Sequence, residues 1–338
     1  MAQTVIECRD VGKTYRAHLR GTGALGVLRG FVRRQVREHV ALEGVELVVE
    51  AGEIVGLIGA NGAGKTTLVK CLTGIVPVTT GACRLFGRDA FQLTRAEKRR
   101  MSVVMGQRSQ LWWDIPAIDS FRLLREIYQV PGERFEQRVH EQAERLAVSD
   151  RLDVQLRQLS LGERMKMEII GAFLHDPEVV FLDEPTIGLD LLSQETIRAF
   201  LRDVNRERGT TVVLTSHDMA DIEETCDRLV ILDSGHVLFD GDLVALRRRF
   251  VGRRAVEVHL EPASRAWSPE LEPELARFGA VLVREAPRAL TFEVSAEQCQ
   301  PFIQHLFDLF QVRDLAVERQ PLEHLIREIF RSGEVAQS

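Results

Sequence analysis

The stretch EIVGLIGANGAGKTT (53–67) constrains the fold of this chain more than any other. An apolar, β-rich run opens it, and the stretch LVKCLTGI that follows has helical character. The loop between them has the form GxxxxGK[ST], in the strand–loop–helix setting that makes this pattern specific. Gly59, Gly62 and Gly64 permit backbone geometry that a Cβ obstructs, so successive N–H groups can converge on phosphate oxygens. The following helix turns its positive end toward the same anion. Gly59, Asn61, Gly62, Ala63, Gly64, Lys65, Thr66 and Thr67 are therefore the candidate phosphate-binding residues. Lys65 reaches β- and γ-phosphates as a point charge, and the Thr66 hydroxyl suits Mg²⁺. The run implies a nucleoside triphosphate site within an α/β fold.

The rest of the chain extends that pattern. MSVVMG (101–106), EVVFLD (178–183), TTVVLTS (210–216) and RLVILD (228–233) are apolar runs suited to strands buried on both faces, hence to a mainly parallel sheet. VELVVEAG (45–52) and HVLFDG (236–241) read as edge or hairpin strands. Between 107 and 174 the period becomes helical, which predicts a helical subdomain inserted into the sheet. After Arg249 the order βαββαβ suggests a small α+β, ferredoxin-like domain over 250–338, closed by a terminal helix around PLEHLIREIF. The first domain is expected over 1–245.

Composition narrows the setting. A length of 338 residues fits about two domains at roughly 150 residues each. A net charge of −6 gives no global reason to expect nucleic acid. The cysteines, Cys8, Cys71, Cys83, Cys226 and Cys299, are scattered and lack CxxC spacing, which favours a reduced cytosolic chain without a disulfide or zinc framework. No signal peptide or apolar run of about 20 residues is evident, so any membrane role is expected from outside the bilayer.

Two further stretches carry chemistry. EVVFLDEP leaves Asp183 and Glu184 at the C-terminal end of a strand, where open α/β sheets bind ligands. Asp183 suits the outer shell of Mg²⁺, and Glu184 a base that polarises attacking water; alternatively, Glu184 merely solvates the strand end. In LSLGERMKMEI (159–169), Ser160 and Glu163 fit an S-x-x-E capping box, with Gly162 keeping the backbone accessible. Capping alone would satisfy that pattern, although a helix N-terminus with a hydroxyl is also an anion site.

Placed between the phosphate loop and EVVFLDEP, LSLGERM resembles the signature of the ATP-binding cassette ATPases. Gln107 at a strand end resembles their Q-loop glutamine, TIGLD (186–190) their D-loop with Asp190, and TSHD their switch histidine, His217. Tyr15 resembles the aromatic that stacks on adenine. The likeness covers about residues 3–245. It implies an ATPase using ATP and Mg²⁺, with Thr66, Gln107 and Asp183 toward the metal and Glu184, His217, Gln107 and Lys65 in catalysis. It further implies two cassettes, expected as a homodimer, sandwiching two ATPs, with Ser160, Gly162 and Asp190 serving the opposite subunit's nucleotide. Leu161 and Glu163 depart from the common Gly and Gln.

Tyr15 also lies unusually far upstream of the loop, and RAHLRGTGALGVLRGFVRRQVREHV (16–40) fills the gap. Leu25, Leu28, Val32 and Val36 form a stripe at helical spacing beside Arg29, Arg33 and Arg37. That spacing predicts a basic amphipathic helix, set against anionic lipid headgroups or a membrane partner, or packed on its own sheet. Trp112 and Trp113 follow Gln107 closely, and their segment faces the membrane subunits in cassette transporters. Adjacency predicts one ring buried and one presented to that partner. Together these features resemble a bacterial exporter-type group, drug- and antibiotic-efflux ATPases included, working at the cytoplasmic face with separately encoded transmembrane permease subunits. An importer ATPase shares the chemistry. A soluble translation or DNA-repair cassette is the remaining alternative, against which stand the single phosphate loop and the lack of a sustained heptad repeat.

Overall fold

The computed structural model describes residues 3–18, 36–106, 109–249, 253–319 and Ile326. The chain divides into two compact units, the first running to Gly241 and the second spanning Asp242–Glu334.

The strands of the first unit are β1 (Thr4–His18), β2 (Val36–Glu50), β3 (Ile54–Gly59), β4 (Thr80–Leu85), β5 (Arg88–Asp89), β6 (Met101–Met105), β7 (Val179–Asp183), β8 (Thr211–Thr215), β9 (Arg228–Asp233) and β10 (His236–Asp242). Its main helices are α1 (Lys65–Leu72), α2 (Ala117–Tyr128), α3 (Gly132–Arg145), α4 (Leu161–Phe173), α5 (Leu191–Arg208) and α6 (Met219–Thr225). One sheet has the order β10-β9-β3-β8-β7-β6, with β9, β3, β8, β7 and β6 parallel. Its inner strands β7 and β8 are buried along almost their whole length and mostly apolar, as strands covered on both faces must be. A second sheet, β2-β1-β4-β5, is antiparallel.

Between these sheets lies α1. Ile6, Val11, Val45 and Leu47 from the antiparallel sheet share one core with Leu68, Val69 and Leu72 of α1 and Leu57, Phe181 and Val213 of the parallel sheet. Each of the three α1 side chains is fully buried, a contribution of roughly 1.5–3 kcal/mol apiece. The phosphate loop thus opens onto a helix clamped on two sides. Over 107–174 the expected helices appear as α2, α3 and α4; Phe121, Phe135, Val139 and Phe173 are buried in them.

The basic helix expected over 16–40 is corrected at both ends. Arg16, Ala17 and His18 pair with Glu38, Arg37 and Val36, extending β1 and β2 as antiparallel arms. An i, i+4 stripe is a weak local preference, and continued strand pairing satisfies the backbone donors and acceptors here instead. Arg16 and Glu38 add an exposed ion pair at 2.8 Å across the arms. Leu25, Leu28, Arg29, Val32 and Arg33 lie outside the described residues, as does the terminal PLEHLIREIF segment apart from Ile326, which is helical and buried.

The second unit contains β11 (Arg253–Leu260), β12 (Val281–Ala286), β13 (Ala289–Ser295) and β14 (Val312–Arg319), with α7 (Glu272–Leu275) and α8 (Cys299–Leu309). The sheet order is β12-β13-β11-β14 and every pairing is antiparallel, the arrangement of a ferredoxin-like βαββαβ unit. Val256, Val258, Leu290 and Phe292 pack against Phe302 and Leu306 of α8. Phe292 and Phe302 meet edge to face at 5.3 Å. Among the described residues, no helix is long and apolar enough to cross a membrane. The cysteines are free and buried, with Cys8 and Cys83 opposite one another across β1 and β4.

Candidate nucleotide site

The phosphate loop closes on itself through Ala63 N–H donating to the Ala60 carbonyl at 3.0 Å. A Cβ on Gly59 would stand 2.3 Å from the Leu232 carbonyl oxygen. At Gly64, φ is +108° and a Cβ would lie 2.6 Å from the Ala41 oxygen, so two strands close on the loop more tightly than any other residue allows. Asn61 and Gly62 are exposed at the tip, Ala63 is buried, and Thr67 is half-buried. Gly64 is also the N-cap of α1, and no side chain caps that helix. Its first N–H groups therefore suit an anion from outside the fold.

Lys65 is only 6% exposed, and its ammonium donates to the Gly59 carbonyl at 2.7 Å and the Ala60 carbonyl at 3.3 Å. Burial lowers its pKa, against the opposing pull of Glu184 and Asp183. The Thr66 hydroxyl lies 3.1 Å from Asp183 Oδ2. This hydroxyl and carboxylate form a hard, oxygen-only donor pair with few protein ligands, which fits Mg²⁺ completing its shell from water and phosphate oxygens. Among the described residues, no group of three or more His, Cys, Asp or Glu side chains is built to hold a metal by itself.

Asp183 ends β7 opposite Thr215 at the end of β8. Thr215 is fully buried; its hydroxyl donates to Asp183 Oδ1 at 2.7 Å and accepts from Glu184 N–H at 3.0 Å. The Glu184 N–H also reaches the Thr215 carbonyl at 3.0 Å. These bonds hold Glu184 at φ +53°, left-handed backbone immediately before Pro185. For a residue with a side chain, such a conformation costs on the order of 1–3 kcal/mol and persists only where the surroundings over-determine it. Glu184 Oε1 lies 3.8 Å from His217 Nδ1, and the His217 side chain is 55% exposed. Thr215 was legible only as the first letter of TSHD; its role as the tie between the two strand ends needs the register.

Tyr15 lies in β1 opposite His39, two residues along β2 from Ala41, whose carbonyl borders Gly64. Its ring is partly exposed, and Lys13 Nζ stands 5.2 Å from its centroid. Gln107 lies outside the described residues.

Lys65, Thr66, Asp183, Glu184 and His217 thus form one cluster, whereas Ser160, Gly162 and Asp190 form another. Ser160 caps α4 by the expected box: Glu163 N–H donates to its hydroxyl at 3.2 Å, and its own N–H donates to Glu163 Oε2 at 2.9 Å. Those bonds, with Arg151 3.0 Å away, hold the Glu163 carboxyl below its usual pKa. Asp190 caps α5, accepting from the Ser193 hydroxyl at 2.7 Å and from Ser193 N–H at 2.9 Å, and these bonds lower its pKa. Gly162 is not the accessible backbone expected from sequence. It is buried, and a Cβ there would lie 2.5 Å from Ser193 Oγ and 3.2 Å from Asp190 Oδ2. Close packing of the two helix starts, not exposure, is what the missing side chain allows.

The tryptophan expectation is also corrected. Trp112 and Trp113 are both exposed, at 44% and 51%. Their segment is a loop, where strand or helix alternation does not apply, and Leu111 is the buried residue instead. The Arg164 guanidinium lies 4.8 Å from the Trp113 ring centroid.

A family model described as ABC transporter matches residues 42–187. The Nod factor export ATP-binding protein I of Cupriavidus metallidurans is 32% identical over 245 residues, which cover 71% of this chain and 80% of that protein. The chain belongs to the ABC transporter ATP-binding subunits. As such it is an ATPase whose hydrolysis is coupled to transport, with ATP and Mg²⁺ as its ligands. The methionine import ATP-binding protein MetN of Geobacillus kaustophilus is 33% identical over 228 residues, 66% of this chain and 67% of that protein. A dimeric ATP-binding cassette solved with ADP and Pi in a post-hydrolysis state superposes with a TM-score of 0.59 at 25% identity, covering 70% of this ABC ATPase and 98% of that chain.

Proposed function

We propose that two copies of this ABC ATPase close face to face on two ATPs, each site taking Lys65, Thr66, Gln107, Asp183, Glu184 and His217 from one copy and Ser160, Gly162 and Asp190 from its partner. The presence in one chain of two well-built clusters, Thr66 with Asp183 beside Glu184 and His217, and Ser160 and Gly162 beside Asp190, carries this reading. Leu161, Ile187, Leu191 and Leu192 are exposed beside the Ser160 and Asp190 half, an apolar surface suited to burial against a twin.

In this reading the α1 N–H groups and Lys65 hold the β- and γ-phosphates, while Tyr15 stacks on adenine. Thr66 and Asp183, with Gln107, would hold Mg²⁺, which when bound would supply charge neutralisation at the phosphates. Glu184 takes a proton from water as its oxygen bonds to the γ-phosphorus and the bond to the bridging oxygen breaks. His217 stabilises the developing charge beside Glu184. Such a base contributes about 10²–10⁴-fold.

The dimer works peripherally at the cytoplasmic face with separate permease subunits, docked near the exposed Trp112 and Trp113. Transport is outward, a reading supported by the exporter-type motif set and by the Nod factor export relative; the methionine import relatives favour the inward alternative. Glu184→Gln tests both levels. The purified variant should bind ATP, lose hydrolysis by about 10²-fold or more and become dimeric with nucleotide. A variant that hydrolyses at the normal rate, or stays monomeric when saturated, refutes the mechanism. In cells carrying it, outward transport predicts a compound class retained inside and depleted from the medium, and inward transport the reverse.

A further inference from the structure

The bulkiest fully buried side chain in the described structure is a charged one, Arg198 of α5, at 2% exposure. Its Nε stands 3.7 Å from Oδ1 of Asp221, itself completely buried on α6, and its Nη1 lies 3.2 Å from Glu224. The other Asp221 oxygen, Oδ2, accepts hydrogen bonds from the Ser216 hydroxyl at 2.7 Å and from the Thr186 hydroxyl. Thr186 and Ser216 are both buried. Thr186 follows Glu184 by two residues, and Ser216 directly precedes His217. Ser216 also accepts from Asp218 N–H at 2.9 Å, so His217 sits inside a turn pinned at both ends.

A single carboxylate therefore ties the loop after β7 to the loop after β8, below the surface on which Glu184 and His217 sit. We infer that Asp221, backed by Arg198, is a positioning residue for ATP hydrolysis, holding Thr186 and Ser216 so that Glu184 and His217 keep their spacing. This rests on the reading of Glu184 as the base. Glu184 is in left-handed backbone, held on one side by Thr215. Thr186 anchored to Asp221 holds the other side of Pro185. Burying a carboxylate and a guanidinium is costly unless both are engaged, and the pair's geometry is loose: Asp221 Oδ1 and Arg198 Nε and Nη1 lack hydrogen-bond partners. An apolar pair would serve packing as well, so the retained charge is explained by the two hydroxyls that Asp221 orients.

Steady-state hydrolysis and MgATP affinity of the full chain test this. Asp221→Asn weakens acceptance from both hydroxyls; it should lower kcat about 10–100-fold, with KM for MgATP changed less than about 3-fold, because a misplacement near 1 Å costs on that order. Combined with Glu184→Gln, it should lower the residual rate by no more than about 2-fold, since residues acting as one unit are not additive. Should Asp221→Asn fail to fold, Thr186→Val and Thr186→Ser decide. The valine, which keeps shape and loses the hydroxyl, should lower kcat, and the serine, which keeps the hydroxyl, should recover most of it. A folded Asp221→Asn with normal kcat, or Thr186→Val and Thr186→Ser with equal rates, overturns the inference. Full hydrolysis by Glu184→Gln alone would instead overturn the assignment of the base.

Discussion

Adding one methyl group at Gly162 separates two accounts of the LSLGERM turn. If that glycine were an open position in the first turn of α4, alanine would stabilise the helix by about 0.5–1 kcal/mol. The structure predicts the opposite sign. The new Cβ would stand 2.5 Å from Ser193 Oγ and 3.0 Å from Ser193 Cβ, so the serine has to turn away or α4 has to shift. Turning Ser193 breaks its 2.7 Å bond to Asp190 and loosens the cap of α5. Losing a cap costs about 1 kcal/mol, and overpacking about 1–3 kcal/mol. Set against the helix gain, the net is a destabilisation of about 1–3 kcal/mol, a melting temperature lower by roughly 2–12 °C for a unit of this size. Thermal unfolding followed by circular dichroism measures it, with ATPase activity read in parallel. The double variant Gly162→Ala/Ser193→Gly removes the clashing side chain and should recover at least half of the loss, a coupling expected of residues in contact. A melting temperature that rises in Gly162→Ala, or a double variant worse than the sum of its singles, refutes the packing account.

Two other outcomes follow from particular contacts. Trp112→Ala and Trp113→Ala should leave ATPase activity of the isolated chain within about 2-fold, since both rings are exposed and neither is among the residues proposed to bind nucleotide, while lowering transport in the assembled system by about 10-fold, as loss of an interface anchor does. Normal transport in both variants would remove that docking role. His175 stacks flat on Tyr128 at 3.7 Å, its Nε2 lies 3.2 Å from the Met101 carbonyl, and burial pushes its pKa down to about 4. An unfolded histidine titrates near 6.5, so below that pH the unfolded chain takes up a proton that the folded chain refuses. Stability from this group is therefore complete above about pH 6.5 and is lost as pH falls toward 4, by about 3 kcal/mol in all. His175→Gln should show a shallower decline in melting temperature over that window; an unchanged slope would mean the ring titrates normally in place.

The features readable from sequence are those whose physical requirements are local. The phosphate loop needs its glycines within a few residues of Lys65, the capping box needs Glu163 three residues after Ser160, and β7 needs an unbroken apolar run before Asp183. Each motif carries its own geometry, and each appears where its spacing puts it. The reading of 16–40 failed at its two ends for a corresponding reason: the helical spacing of Val36 from Val32 and of Arg37 from Arg33 is a local signal, and pairing of Val36 and Arg37 with His18 and Ala17 overrode it there. Trp112 and Trp113 failed because alternation presumes a regular element, and their backbone is a loop.

The residues that organise the site most tightly carry no such signal, because their partners are remote in the chain. Gly162 answers to Ser193, Thr215 to Asp183, and Thr186 to Asp221. The Thr215 and Thr186 contacts join segments that the parallel sheet brings together at the C-terminal ends of β7 and β8, the Gly162 contact joins the starts of α4 and α5, and each controls backbone position. In the proposed mechanism, motif residues such as Lys65 and Glu184 supply the reactive groups, whereas these contacts set the distances between them. It follows that substitution at the second kind of position should lower turnover while sparing nucleotide affinity, and substitution at Lys65, proposed to meet the phosphates directly, should lower affinity first. A Thr215→Val variant with weakened ATP binding and normal kcat would contradict that division, since its hydroxyl reaches only Asp183 and the Glu184 amide.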